Sequence, residues 1–222
     1  MTRRSYKQYC ALARALDIVG ERWTLLLVRE LLLGPKRYKD LLAGLPGIGT
    51  NLLADRLKEL ERAGIVGRSL LPAPAGSAVY ELTDLGRGLE PAVFALGRWG
   101  AHFLQPRNES DATDPGWFFV SIRATFRAEA AAELRESYEF RIDGAPFHAR
   151  IDRGRARTSQ GHADDPHVIV TTDLDTFIGL LSRQLSPSEA VASGMVRVDG
   201  DEAALGRFVE VFAWPSPATL AV

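Results

Sequence analysis

The sequence predicts an α+β protein of two domains, with helices dominating the first half and strands the second. Residues 1–105 contain apolar residues mostly at helical spacing, whereas residues 117–222 contain several segments that alternate between apolar and polar residues. Residues 106–116 are polar, contain proline and have the composition of a linker. A chain of 222 residues accommodates two such domains of about 100 residues each.

Three helices are expected before residue 65. The first covers residues 10–34, where apolar residues recur at helical spacing up to the Gly–Pro pair at its end. A short second helix covers residues 36–46, and a third covers residues 49–63. The apolar face of the third helix consists of Leu53, Leu57 and Leu60. Gly64 follows this helix in the position of a C-terminal cap.

A two-stranded hairpin and a further helix complete the expected first domain. Residues 65–72 and 78–83 have the composition of strands, and the small residues and prolines between them are typical of a hairpin connection. A last helix is expected over residues 84–103. Three helices, two strands and one helix, in this order, indicate a winged helix-turn-helix.

The third helix presents a short polar face to solvent if its leucines point inward. That face consists of Asn51, Asp55, Lys58 and Arg62, with Thr50 and Arg56 nearer its edges. Such a helix fits the major groove of DNA, where amide side chains pair with adenine edges and basic side chains with guanine or phosphate. The alternative is a solvated helix face with ordinary ion pairs. The order of the elements favours DNA binding.

The second half is expected to fold as a mainly antiparallel sheet covered by helices. Strands are predicted over residues 117–126, 137–143, 146–154, 156–162, 166–173 and 195–201. Helices are predicted over residues 128–136, 175–185, 186–194 and 202–214. The predicted domain limits are therefore 1–105 and 117–222, with the linker over 106–116.

Composition and charge limit the class of protein. With 46% hydrophobic and 25% charged residues, the chain resembles a folded, soluble protein. The apolar run over residues 23–33 contains Arg29 and Glu30, and the amino terminus lacks a signal-peptide pattern, so we expect a cytoplasmic protein without a membrane partner. Residues 1–105 hold 15 Lys and Arg against 10 Asp and Glu, and the remainder 12 against 18. The basic first half favours an anionic partner.

An ordered set of landmarks links the first half to a known family. The landmarks are Cys10 and the segments GERWTLLLVREL, GPKRYKDL, LPGI, RLKELE, GIV and YELTDLG. Residues 9–104 thereby resemble the HxlR family of bacterial winged-helix transcription regulators. The resemblance implies a homodimer, with the first and last helices of the domain at the interface, and double-stranded DNA with an inverted repeat as the partner.

The resemblance also implies which side chains bind DNA. They are Arg37, Tyr38, Thr50, Asn51 and Arg56, with the two arginines on phosphate and Thr50 and Asn51 closest to base edges. Lys58 is a further candidate on the outward face. The hairpin tip at residues 72–77 has no basic residue, so its contribution is expected to be small. Gly49 and Thr50 open the third helix where the family often has a serine, which leaves its capping residue open.

Cys10 is the single cysteine of the chain and cannot form an internal disulfide. In some members of the resembled family the amino-terminal cysteine senses oxidants or electrophiles, which requires an exposed thiol with a lowered pKa. Lys7 and Arg14 lie nearby and favour a thiolate, which makes Cys10 a candidate redox sensor. The alternative is a buried residue at the dimer interface.

Residues 166–212 resemble the carboxy-terminal portion of sterol carrier protein type-two-like domains. The features in common are a strand, an Asp-led helix, the segment LSPSEAVASGMVRVDGD and a final helix. The resemblance implies an apolar cavity and a hydrophobic small molecule, such as a lipid, as effector. Candidate lining residues are Phe119, Phe140, Phe147, Phe177, Leu181 and Trp214. Each of them is equally a candidate for the ordinary core.

Two polar clusters in the second half allow more than one interpretation. An arginine cluster around an expected turn is a candidate for binding an acidic ligand or DNA, or for a solvated hairpin face. Its members are Arg150, Arg153, Arg155 and Arg157. The second cluster consists of His148, His162, His167, Asp164 and Asp165. Its spacing matches no zinc motif, and nucleophile-elbow and phosphate-loop motifs are missing, so no metal, cofactor or catalytic residue is predicted.

The sequence therefore predicts a regulator that binds a pseudo-palindromic operator as a dimer and is modulated by a hydrophobic small molecule through its second domain. The alternative is a lipid or small-molecule carrier whose winged helix serves dimerisation. An enzyme ranks below both, because the motifs that would carry catalysis are missing.

Overall fold

The computed structural model describes residues 5–71, 76–100, 103, 108 and 110–212, apart from the side chains of residues 118 and 121. Residue contacts divide the chain into the units Met1–Val93 and Phe94–Val222. Helices and strands up to the division are α1 (Ala11–Val19), α2 (Thr24–Leu32), α3 (Tyr38–Ala43), α4 (Thr50–Arg62), β1 (Val66–Leu70), β2 (Ala78–Leu82) and α5 (Asp84–Arg87), and α6 (Glu90–Gly100) runs across it. Within the described ranges, no helix is long and apolar enough to cross a membrane.

The first expected helix is two helices, so the prediction of one helix over residues 10–34 is wrong. α1 ends at Gly20, and Trp23 has a φ of 79°, in the left-handed region that side chains rarely adopt. A residue in that conformation interrupts a right-handed helix, and α2 begins at the following residue. The expected last helix is likewise divided into α5 and α6.

The three leucines of α4 form the base of the first core, as predicted. Leu53, Leu57 and Leu60 are buried together with apolar residues of α2, α3 and β1. α4 ends in the way that its sequence indicates, because Gly64 has a φ of 71° that a larger residue would adopt only with strain. β1 and β2 pair as an antiparallel hairpin. The winged helix-turn-helix order is thus confirmed, with the hairpin tip at residues 72–75 outside the described residues.

The second unit is built on one five-stranded sheet. Its remaining elements are α7 (Pro115–Arg123), β3 (Arg135–Ile142), β4 (Ala145–Asp152), β5 (Arg155–Gln160), β6 (Val168–Thr172), α8 (Leu174–Leu181), α9 (Pro187–Ala192), β7 (Arg197–Gly200) and α10 (Glu202–Phe212). The strand order is β5-β4-β3-β6-β7, and only the β3–β6 pair is parallel. The prediction of a mainly antiparallel sheet with helices is therefore confirmed.

One predicted strand is a helix. Residues 117–126 were expected to be extended, but α7 covers residues 115–123. Pro115 occupies the start of the helix, where its fixed φ is favourable, and Asp114 accepts a hydrogen bond from the Gly116 N–H at 2.7 Å. The apolar run itself fits either element, because a short buried helix and a short buried strand have similar compositions.

One predicted helix is a series of turns. The Ala- and Glu-rich residues 128–136 were expected to be helical, but residues 128–134 are turns and β3 begins at Arg135. The backbone N–H groups of Arg153 and Gly154 donate to the carbonyls of Leu134 and Ala131, both at 2.8 Å. Tertiary contacts thus use carbonyls of this segment, which overrides its intrinsic helix propensity.

The carboxylate of Glu139 in β3 is buried, and its ionisation makes the stability of the folded protein depend on pH. Burial by itself raises its pKa, but hydrogen bonds from the Ala163 N–H (2.9 Å), His162 (3.1 Å) and Arg141 (2.8 Å) outweigh burial, so the net pKa is lowered. A carboxyl with a lowered folded-state pKa stabilises the protein above the unfolded-state value of about 4.3. That contribution disappears as the pH falls through the folded-state pKa.

We therefore expect Glu139→Gln to lower the melting temperature of the second unit at pH 7, where the wild-type carboxylate is charged. The difference from wild type should shrink progressively below about pH 4, because the carboxyl of the unfolded state is protonated first and that of the folded state follows at its lowered pKa. Thermal unfolding of both proteins between pH 3 and pH 7 measures it, with Glu133→Gln as an exposed control. A difference that does not vary with pH would contradict this role of the Glu139 charge.

Candidate nucleic-acid interface

The candidate interface consists of α3, the turn after it and the exposed face of α4. Asn51, Asp55, Lys58 and Arg62 are all exposed, as the helical periodicity predicts, and Thr50 is exposed at the start of the helix. Within the described residues no side-chain partner is recorded for Asn51 or Lys58. The amide of Asn51 and the ammonium group of Lys58 are therefore available to a ligand.

Hydrogen bonds join α3 to the start of α4. The Tyr38 hydroxyl donates to the backbone carbonyl of Thr50 at 2.7 Å, and the Arg37 backbone N–H donates to the Asp40 carboxylate at 3.2 Å. Arg37 immediately precedes α3, and its side chain is partly exposed. Because Tyr38 holds the backbone of the first residue of α4, it orients the end of α4 that carries Asn51.

Thr83 and Gly86 connect the other end of α4 to the hairpin. The Thr83 hydroxyl donates to the Gly64 carbonyl at 2.6 Å and accepts from the Gly86 N–H at 3.1 Å. A Cβ atom at Gly86 would collide with the Ile65 backbone carbonyl, so no larger residue fits there. This contact is a physical reason for the TDLG segment: Thr83 caps α5, and Gly86 allows α5 to approach the strand that follows α4.

The side chain of Arg68 on β1 contacts other residues of the protein. Its guanidinium binds the Glu61 carboxylate, with Nε and Oε1 2.5 Å apart, and lies 5.0 Å from the centre of the Tyr80 ring. The contact with Glu61 holds the hairpin against α4, and the contact with Tyr80 lies within the hairpin.

A buried carboxylate links α2 to the loop before α3. Glu30 is fully buried, and its two oxygens bind Arg29 at 2.8 Å and Lys36 at 2.6 Å. The backbone of Lys36 also exchanges hydrogen bonds with Tyr80 of β2, at 3.0 and 2.8 Å. Glu30 thus anchors the loop that precedes Arg37 and Tyr38 and positions them at the interface. Sequence reasoning treated Arg29 and Glu30 only as charges within an apolar run and did not single out Glu30, because nothing local signals that Lys36, six residues away, is its second partner.

Arg56 lies in a more enclosed environment than its predicted role implies. Its side chain is only 15% exposed and forms ion pairs with Glu59, one turn along α4, and with Glu21, at 3.1 Å. Its Nε atom is buried without a hydrogen-bond partner in the described part of the chain. Glu21 lies in the turn between α1 and α2, so Arg56 ties α4 to that turn. Sequence reasoning missed Glu21 because 35 residues separate it from Arg56.

The candidate cavity residues of the second unit lie in one dense cluster. Phe119, Phe140, Phe147, Phe177 and Leu181 are each at most 1% exposed. Phe119 stacks on Phe147 and on Phe177, with ring centres 4.4 and 5.8 Å apart, and meets Phe140 edge to face. In this conformation these side chains form a core, and Trp214 lies outside the described residues.

The remaining candidates are scattered. Cys10 is exposed and immediately precedes α1. Its thiol is therefore not buried within the single chain. His162 binds Glu139, and Nδ1 of His148 lies 3.1 Å from the Gly161 carbonyl oxygen. In the described ranges, no group of three or more His, Cys, Asp or Glu side chains could hold a metal ion.

Two family models match the chain. Residues 18–108 match the HxlR-like helix-turn-helix model, and residues 122–213 match the model of the SCP-2 sterol transfer family. A reduced form of the transcriptional regulator YodB from Bacillus subtilis, a solved structure, has 34% sequence identity. It covers 46% of this chain and the chain covers 100% of it, with a TM-score of 0.39.

Two curated relatives come from Bacillus subtilis. The uncharacterized HTH-type transcriptional regulator YvaP is 37% identical over 93 residues, which are 42% of this chain and 86% of the relative. The HTH-type transcriptional regulator YodB is 37% identical over 92 residues, or 41% of this chain and 82% of the relative. The similarity therefore spans most of each relative and less than half of this chain. By its helix-turn-helix, its α4 face and these relatives, the chain belongs to the HxlR-like helix-turn-helix family.

Proposed function

We propose that the protein is a cytoplasmic transcription regulator that binds a pseudo-palindromic operator as a homodimer. The observation that carries the proposal is the exposed polar face of α4, held by Tyr38 at its start and by Thr83 at its end. The curated relatives YvaP and YodB, which are HTH-type transcriptional regulators, support the proposal. The proposed domain limits remain 1–105, 106–116 and 117–222.

The proposed roles follow the geometry of α3 and α4. Asn51 and Thr50 lie at the start of α4 and would reach base edges when this helix enters the major groove. Arg37 and Lys58 would bind the phosphate backbone and set the register of the helix on the duplex. Tyr38 would have to release the Thr50 carbonyl before its hydroxyl could donate to phosphate. Arg56 would have to exchange its carboxylate partners for phosphate, because Glu21 and Glu59 hold it in the DNA-free chain.

Dimerisation is proposed from two exposed apolar rows. Tyr9, Leu12 and Leu16 are exposed on and before α1. Leu96, Trp99 and Phe103 are exposed on and after α6, with the rings of Trp99 and Phe103 4.9 Å apart. Each row has helical spacing, and a second copy of the chain would remove its apolar surface from water. Cys10 lies beside the first row, so modification of its thiol would act on this contact.

Modulation by a hydrophobic small molecule is proposed for the second unit, and the match to the SCP-2 sterol transfer family supports it. Phe119, Phe140, Phe147 and Phe177 would have to separate to admit such a ligand, since their rings contact one another in this conformation, and Leu181 is fully buried. Trp214 stays a proposed lining residue. A carrier that binds lipid without any DNA preference is the second candidate function, which the same family match favours.

Selection of bound duplexes from a randomised pool tests the main proposal. Enrichment of an inverted repeat is expected, and fluorescence anisotropy on the selected and scrambled duplexes should show a preference that persists as salt rises. Selection without enrichment, together with lipid binding, would favour the carrier.

Glu21→Gln tests the role of Arg56. The neutral amide holds Arg56 less firmly and repels phosphate less, so we expect binding to both duplexes to tighten by about 1.5- to 5-fold, the range of an exposed ion pair. The dependence on salt should steepen by up to about 0.9 per subunit in the log–log slope. The double variant E21Q/R56Q is the control, because the gain should vanish without the guanidinium. Weaker binding by E21Q would indicate that Arg56 positions α4 and does not bind phosphate.

A further inference from the structure

The face of the five-stranded sheet opposite the helices is rich in arginine. Phe140 and Phe147 point toward the helical layer, so strand alternation places residues 135, 150, 155 and 157 on the other face. The arginines of that face and of its β4–β5 turn are Arg135, Arg141, Arg150, Arg153, Arg155, Arg157 and Arg197. They are seven of the 12 Lys and Arg residues beyond residue 105, in a half that holds 18 Asp and Glu. Positive charge is thus concentrated on one surface of an acidic half.

Two of these arginines form an electrostatically unfavourable pair. Arg150 of β4 and Arg157 of β5 lie directly opposite each other in the antiparallel register, and both are exposed. Their Cβ atoms are about 4.5–5.5 Å apart, a distance at which like charges destabilise a sheet. Within the described residues, neither guanidinium has an ion-pair or hydrogen-bond partner.

Arg135, Arg141 and Arg153 are neutralised to a greater extent, and Arg155 lies opposite Asp152 in the strand register. Arg135 and Arg153 share the carboxylate of Asp152, at 3.9 and 3.3 Å. Arg141, further along β3, binds Glu139 at 2.8 Å. Arg150 and Arg157 are therefore the pair whose charge an external anion would compensate most.

We propose that Arg150 and Arg157 bind the phosphate backbone of duplex DNA as a second, sequence-independent contact of the regulator. This inference rests on the proposed function. A guanidinium forms paired hydrogen bonds with phosphate oxygens, and two phosphates would remove the repulsion within the pair. Duplex DNA carries one negative charge per about 1.7 Å of its axis, so cations on strands about 4.8 Å apart meet phosphate at any position along it.

We assign DNA as the ligand of the Arg150–Arg157 pair because the proposed contact of α4 already holds DNA next to the same chain. A second contact on a tethered domain benefits from an effective concentration in the millimolar range, so even two weak phosphate contacts add to the affinity. An acidic protein would have to bind this surface without that advantage.

The test compares R150Q/R157Q with wild type in anisotropy titrations on the selected operator and on a scrambled duplex, with flanking DNA on both sides. The salt slope should fall by about 0.9 for each phosphate contact, which is about 1.8 per subunit and about 3.6 for the homodimer. Between 50 and 200 mM salt, wild type should therefore lose on the order of 100-fold more affinity than the variant when both subunits make the contact. Both duplexes should be affected equally, because backbone contacts do not read sequence. R150K/R157K should retain most of the slope.

The matched control is R127Q/R183Q, which removes the same charge from two exposed positions. Arg127 follows α7 and Arg183 follows α8, both in the helical layer, so their slope should equal that of wild type. An unchanged slope for R150Q/R157Q, or an equal change in both double variants, would overturn the proposal. A wild type without operator preference contradicts the proposed function instead, and the scrambled duplex still tests the arginine pair in that case.

Discussion

Replacing Asn51 by alanine should abolish most of the sequence preference while sparing non-specific DNA binding. Asn51 is exposed on the first turn of α4, and its amide can donate to and accept from an adenine edge in the major groove. Loss of one such paired contact is worth about 1–3 kcal/mol, or roughly 5- to 150-fold in affinity for each half-site, and the homodimer loses one contact in each of the two half-sites of the operator. Binding to a scrambled duplex depends on phosphate contacts and should change little. Anisotropy titrations on both duplexes at one salt concentration measure the ratio.

Lys58→Gln is the matched control for this prediction. Lys58 is exposed on the same helix face, and its proposed contact is to phosphate. Its removal should weaken binding to the operator and to the scrambled duplex equally and lower the salt slope by about 0.9 per subunit, or about 1.8 for the homodimer. Asn51 would lose its assigned role if N51A weakened binding to both duplexes equally or changed neither.

Replacing Glu30 by glutamine should strongly destabilise the first unit. The Glu30 carboxylate is fully buried between Arg29 and Lys36, so glutamine leaves these cations without their counter-charge. Breaking a buried ion pair from one side typically costs about 3–5 kcal/mol. In a unit of this size, the melting temperature should fall by on the order of 15 °C or more. Thermal unfolding, combined with hydrogen exchange of α2 to identify the unit that unfolds, measures the effect.

Glu61→Gln provides the comparison for Glu30. Glu61 binds Arg68 at the surface, with side chains 25% and 56% exposed, and its loss should cost less than about 1 kcal/mol. The double variant E30Q/K36M should recover part of the stability lost in E30Q, because it removes a cation together with the carboxylate. If E30Q and E61Q unfolded at the same temperature, Glu30 would not anchor the loop before α3.

Sequence reasoning was most successful where local periodicity decides the structure. The spacing of Leu53, Leu57 and Leu60 predicted both the buried face of α4 and the outward position of Asn51 and Lys58. Because a helix presents the same face over its whole length, the spacing of the apolar residues is enough to predict which side chains are buried and which are exposed. The same reasoning failed for residues 117–126 and 128–136, where the length and composition of the segment fit two structures and contacts with distant residues chose between them.

The sequence by itself determined the order of the winged helix-turn-helix, the exposed face of α4 and the family, because these depend on residues close together in the chain. Only the tertiary structure decided the partners of the charged side chains. It brought Glu21 to Arg56 and Lys36 to Glu30, and set Arg150 opposite Arg157 through strand register. The physical reason is that an ion pair depends on distances of a few ångströms between residues whose separation along the chain is arbitrary.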